Sequence, residues 1–265
     1  MKNKGLIITL IILLTIIVFF LITILVASLN GKFSFFRGNI NYGNKSAKII
    51  FDQKYELQDI EKLEVSEEAG DIKFEKTSEE NIRVVAYGEN SEDVEVALNG
   101  NKLKVDFANN NRVKFLNFGN YKSYIIIYIP SNYSNSIIIK NNYGNCKIAD
   151  LENATIDIDC DCGNVELGKI KNAKIKCDYG NVEIDTVLNK CDIKSDCGNI
   201  EIEKLELKEN SSIKSDLGNI EIGEINDIYV DANVDLGKIN ISKNNRNSEI
   251  TLTIKCDCGN VNIGE

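Results

Sequence analysis

One seven-residue phrase returns seven times between residues 142 and 263, and that recurrence leaves few folds open to the chain. Its copies are Asn142 to Ile148, Asp161 to Leu167, Asp178 to Ile184, Asp196 to Ile202, Asp216 to Ile222, Asp235 to Ile241 and Asp257 to Ile263. Their glycines, Gly144, Gly163, Gly180, Gly198, Gly218, Gly237 and Gly259, stand 17 to 22 residues apart. A period of that size marks a repeat architecture, in which no unit buries its apolar face alone and each is completed by its neighbours.

Within each copy the apolar residues alternate. Five positions before the glycine stand Ile139, Ile158, Ile175, Ile193, Ile213, Ala232 and Ile254; two after it stand Cys146, Val165, Val182, Ile200, Ile220, Ile239 and Val261. Period-two alternation of β-branched residues predicts half-buried strands, and the 3.6-residue period of a helix is absent. The Asp-x-Gly-Asn between them is turn chemistry: Asp can bond its own backbone, and glycine takes positive φ without a steric cost. A spacing of 17 to 22 residues leaves no room for crossover helices. The expected fold is therefore all-β, a β-solenoid of stacked two-strand rungs, with a β-sandwich as the alternative.

Stacking turns positions into columns. Lys140, Lys176, Lys194, Lys214 and Lys255 share the fourth position before the glycine, and Glu166, Glu183, Glu201 and Glu221 the third after it. Like charges directly opposite each other are unfavourable, so the glutamates form a candidate interaction stripe for an ion or polymer, against the plainer reading of a solvated face. The aspartates of the phrase suggest calcium ligands, but one Asp per turn is accounted for by the turn itself. The asparagines at 145, 164, 181, 199, 219 and 260 read as a ladder of stacked amides.

Residues 6–28 carry no charge and are nearly all Leu, Ile, Val and Phe, long enough to span a bilayer and longer than a signal-peptide core. The expected organisation is a cytoplasmic tail (1–5), a transmembrane helix (6–28), a stalk (29–48), an irregular β region (49–140) and the solenoid (141–265). Ala69 to Phe74 is a degenerate first copy of the phrase, Asn109 to Asn120 a polar hairpin or loop, and Tyr124 to Pro130 a strand closed by the single proline. Lysines and arginine flank the span on both sides, yet a short N-terminal tail before a large β domain favours that tail inside and the domain outside.

Beyond the two lysines preceding the span, 29 basic residues face 40 acidic ones, which argues against nucleic acid as a partner because phosphate binding needs a basic footprint. Eight cysteines fall largely into two positions: Cys160, Cys177 and Cys256 three before the glycine, and Cys162, Cys197 and Cys258 just before it. Both positions share the parity of the buried isoleucines, which reads as small core fillers. A disulfide between Cys160 and Cys177 on adjacent rungs and a thiolate metal site are the alternatives; C-x-C is not a zinc spacing and the chain has no histidine. No metal, cofactor or catalytic residue is expected.

The apolar span, the Gly70-Asp-Ile-Lys-Phe74 copy, the Tyr128-Ile-Pro130 strand end and the repeated Asp-x-Gly-Asn-Val/Ile-Glu-Ile/Leu together resemble a bacterial adhesin-type family, a domain of unknown function built of β-strand repeats. The resemblance covers roughly 50–265 and implies a membrane-anchored envelope protein, in some members linked to the response to membrane-active antibiotics, with no catalytic residues. A non-enzymatic module contacting an envelope polymer or membrane protein is the expectation. The alternatives are a solenoid carbohydrate-active enzyme, disfavoured by the absence of Trp and His and of an off-pattern acidic pair, and a cation- or thiol-responsive envelope sensor.

Overall fold

The computed structural model describes residues 47–88, 91–107 and 123–264. All lie in the second of two units, Met1–Arg37 and Gly38–Glu265. The predicted span at 6–28 and the polar loop at 109–120 lie outside the described residues, among which no helix is long and apolar enough to cross a membrane.

The alternation does produce strands. β1 (Lys48–Glu56) enters the unit, and β2 (Lys62–Glu67) and β3 (Asp71–Thr77) flank Gly70. β4 (Asn81–Gly88), β5 (Val94–Asn99), β6 (Lys102–Phe107) and β7 (Tyr124–Pro130) follow. β8 (Ser136–Tyr143) and β9 (Cys146–Ile148) flank Gly144, and β10 (Leu151–Cys162) meets β11 (Val165–Tyr179) at Gly163. β12 (Val182–Cys197) begins after Gly180, and β13 (Ile200–Leu205) after Gly198. β14 (Ser211–Leu217) and β15 (Ile220–Ile225) flank Gly218, β16 (Tyr229–Leu236) and β17 (Ile239–Ile241) flank Gly237, and β18 (Thr251–Cys258) and β19 (Val261–Ile263) flank Gly259.

Successive rungs pair in parallel without a slip at the repeated phrase. One inward column runs Val65, Ile139, Ile158, Ile175, Ile193, Ile213, Ile254, Ala232. Another, across the core, runs Ile72, Cys146, Val165, Val182, Ile200, Ile220, Val261, Ile239. Apart from the two residues of the β16–β17 rung, these side chains are at most 3% exposed, each contributing on the order of 1.5–3 kcal/mol through burial. The β-solenoid of two-strand rungs expected from the period is the architecture found.

Sequence order and spatial order part at both ends. The Gly70 rung lies between β6–β7 and the Gly144 rung, so the degenerate copy is a full member of the stack. At the other end β14 pairs with β18, and β18 with β16. The last copy in the sequence thus inserts between its two predecessors, and the Gly237 rung is outermost. Antiparallel pairing of β5 on β6, and of β4 on β7 and β1 on β4, closes the opposite end.

Each turn is held by its glycine and its asparagine. The glycines have φ of 149–159°, and a Cβ built on Gly163 would stand 1.8 Å from the Gly144 carbonyl oxygen. Asn145 N–H donates to Asp71 Oδ1 at 2.8 Å, Asn164 N–H to Asn145 Oδ1 at 3.0 Å, and the chain continues through Asn181, Asn199, Asn219 and Asn260 to Lys238 N–H. The asparagine ladder therefore bonds side chain to backbone, supplying partners where the turn interrupts the strand ladder.

Candidate interaction faces

The side chains outside the core form three surfaces: one face of mixed charge, one acidic face and the turn edge. On the first, the lysine column alternates with carboxylates on the same and neighbouring rungs. Lys176 meets Asp178 at 2.9 Å and Asp159 at 3.3 Å, Lys194 meets Asp196 at 2.7 Å, and Lys214 meets Asp216 at 2.9 Å. The bond from Lys194 holds the Asp196 carboxyl below its ordinary pKa. Three of the five stripe lysines are thus paired on their own face. Three of the aspartates expected to bond their own turns, Asp178, Asp196 and Asp216, are instead paired with the lysine two residues earlier, because both project outward from one strand.

The opposite face carries the predicted stripe. Its column reads Lys73, Lys147, Glu166, Glu183, Glu201, Glu221, Asn262, Asn240 in direct parallel register. Four glutamates therefore succeed one another at about 4.8 Å per rung. Lys147 pairs with Glu166 at one end; among the described residues no ion pair forms at Glu201 or Glu221. Asp185 and Glu203 extend the exposed acidic surface. Among the described residues no group of three or more His, Cys, Asp or Glu is placed to hold a metal ion.

The two cysteine positions separate. Cys160, Cys177 and Cys256 are buried as core fillers, and their Sγ atoms approach glycine carbonyls, as Cys177 does Gly163 and Gly180 at 3.6 Å and Cys256 does Gly218 at 3.4 Å. Cys160 and Cys177 stand in register on adjacent rungs, and all eight cysteines are free thiols. Cys162, Cys197 and Cys258, expected inside, lie with Tyr143, Tyr179, Leu217 and Leu236 along the turn edge, all partly or largely exposed. Strand parity fails there because the chain bends at the adjoining glycine.

Sequence reasoning missed the polar end, Glu67 and Asn141, of the inward cysteine column, which runs Glu67, Asn141, Cys160, Cys177, Ser195, Ser215, Cys256. Its signal was the run of small or polar residues at one inward position. Burial pushes the Glu67 carboxyl up to about 8, although Ala69 N–H donates to its Oε1 at 3.2 Å. Glu67 Oε2 and Asn141 Oδ1, in register on adjacent rungs, are both buried without a bonded partner, which suits a neutral, proton-donating Glu67. The folded state binds this proton more tightly than the unfolded chain. The associated stability is complete below about pH 4.5 and lost as pH rises through about 8. A melting temperature falling by about 5–10 °C between pH 5 and pH 9, and a flatter profile in Glu67→Gln, are the expected results.

The family described as Toastrack DUF4097 matches residues 60–264. Among curated proteins none matches. Of solved structures, a candidate adhesin from Bacteroides fragilis is similar at 20% identity, with 81% of this chain and 96% of that chain covered and a TM-score of 0.55. A candidate cell adhesion protein from Clostridium sporogenes is 13% identical, with 83% and 99% covered and a TM-score of 0.39. A candidate lipid binding protein from Parabacteroides distasonis is 18% identical, with 84% and 98% covered and a TM-score of 0.41.

Proposed function

This chain belongs to the Toastrack DUF4097 family, and from that premise we propose that it is a non-enzymatic, membrane-anchored interaction module of the cell envelope whose glutamate face docks a cationic partner. The observation that carries this reading is the uninterrupted register of Glu166, Glu183, Glu201 and Glu221. Carboxylates stacked on adjacent strands repel one another, and the opposite face shows that this scaffold readily alternates its charges. A cationic polymer or basic protein surface laid along the column would relieve that repulsion. The anchor is supported by the uncharged run at 6–28, and the adhesin name attached to the Bacteroides fragilis structure of similar fold agrees in kind.

The test uses the full chain in detergent micelles with an oligolysine peptide as the probe. At saturating peptide and low salt the melting temperature should rise by about 5–10 °C, and the gain should fade as salt screens the contact. Millimolar Ca²⁺ should add little. The fourfold Glu→Gln variant at 166, 183, 201 and 221 should fold, and should lose the peptide effect. Salt-insensitive binding that survives the four substitutions would remove this face from consideration.

A further inference from the structure

We propose that the β16–β17 rung is a self-association edge that takes the same edge of a second copy across a two-fold axis. Among the described residues each of its strands is paired on one side only, β16 with β18 and β17 with β19. The consequence shows in its side chains. Ile239 is 45% exposed, whereas its counterparts Cys146, Val165, Val182, Ile200, Ile220 and Val261 are fully buried. Leu236, on the turn edge, is 67% exposed, against 41% for Leu217 at the same position two rungs inward.

The backbone of β16 is polarised between its two sides. Tyr229 N–H donates inward to Ile250 O at 2.9 Å. Val230, one residue on, exchanges both of its bonds outward with the Asn244 side chain, at 2.9 Å each. Alternation along the strand then directs the N–H and C=O of Ala232 and Val234 outward, past the segment that Asn244 covers. An open row of such groups is a template for another strand. The far end of the stack is defended differently: β1 is bulged between Ile49 and Phe51 and carries Lys48 and Lys54.

Charge selects the register. An antiparallel pair centred on Asn233 would set Asp231 against the second copy's Asp235. Centred on Val234, it sets Asn233 against the second copy's Asp235, twice by symmetry, and Ala232 against the second copy's Leu236. Val234 and Asn240 each lie three residues from Gly237, so the same axis, normal to both strands, centres β17 on Asn240 and brings Ile239 against the second copy's Ile241. Both strands satisfy one symmetry operation, as an isologous contact requires. The contact is small, so a weak, reversible dimer with a Kd on the order of 10 µM is the expectation.

Sedimentation equilibrium of the full chain in detergent micelles at low salt tests this. The wild type should form a reversible dimer. Asn233→Asp places like charges opposite each other at two symmetric positions and should raise the Kd about tenfold, whereas Asn233→Lys should lower it by a similar factor. Both variants should melt within about 2 °C of wild type, because position 233 is exposed. A chain monomeric to about 100 µM, or a dimer whose Kd ignores both substitutions, would overturn the proposal.

Discussion

Gly180→Ala should destabilise the unit by about 3–5 kcal/mol, combining backbone strain with overpacking. At a φ of 155° an L side chain is strained whatever the space. Here there is no space either: the added Cβ would stand 1.9 Å from the Gly163 carbonyl oxygen and 2.6 Å from its carbon. Both atoms are backbone of the next rung, itself fixed on its far side by Gly144, so neither can give without breaking the asparagine ladder beside it. Gly100→Ala is the control, since Gly100 also has positive φ, at 61°, but nothing within 4 Å of a Cβ. It should lose only about 1 kcal/mol. In thermal melts the first should fall by about 10–15 °C and the second by a few degrees. Equal losses would mean that the turn conformation, and not the stacking of glycine on glycine, governs the cost.

Much of this was legible because in-register stacking makes a column of every repeated position. The isoleucine columns, the turn glycines and the asparagine ladder follow from residues at fixed offsets. The order of the last two rungs did not follow from the period, since parallel pairing fixes register and leaves adjacency open. The signal was nonetheless present in the sixth copy. Lys238 stands where the ladder needs an amide oxygen and Ala232 where the core needs isoleucine, departures that a terminal rung tolerates because nothing stacks beyond it. Cys162, Cys197 and Cys258 were misplaced because alternation was carried one residue too far, into the turn. The aspartates were assigned to their turns without weighing Lys176, Lys194 and Lys214 two residues before three of them on the same face. Glu67 was not separable from a surface glutamate until the rungs on either side of it were known.

Deleting residues 181–198 removes 18 residues, one complete rung, and rejoins Gly180 to Asn199 so that the phrase runs on as Gly-Asn-Ile-Glu-Ile. Every remaining column keeps its register, and each rung still meets only neighbours of its own kind. Deleting 181–189 removes half a rung. Gly180 would then lead directly into Lys190 and Cys191, sending a strand that belongs to one wall of the stack along the other and setting apolar residues of the following rungs against solvent. The comparison of these two deletions by circular dichroism and thermal melting is the most direct measurement of the stacked-rung account. The account predicts a whole-rung variant with a wild-type β spectrum and a melting temperature within about 5 °C of the parent, beside a half-rung variant that loses β signal and melts far lower. Equal spectral and thermal losses in the two would contradict it.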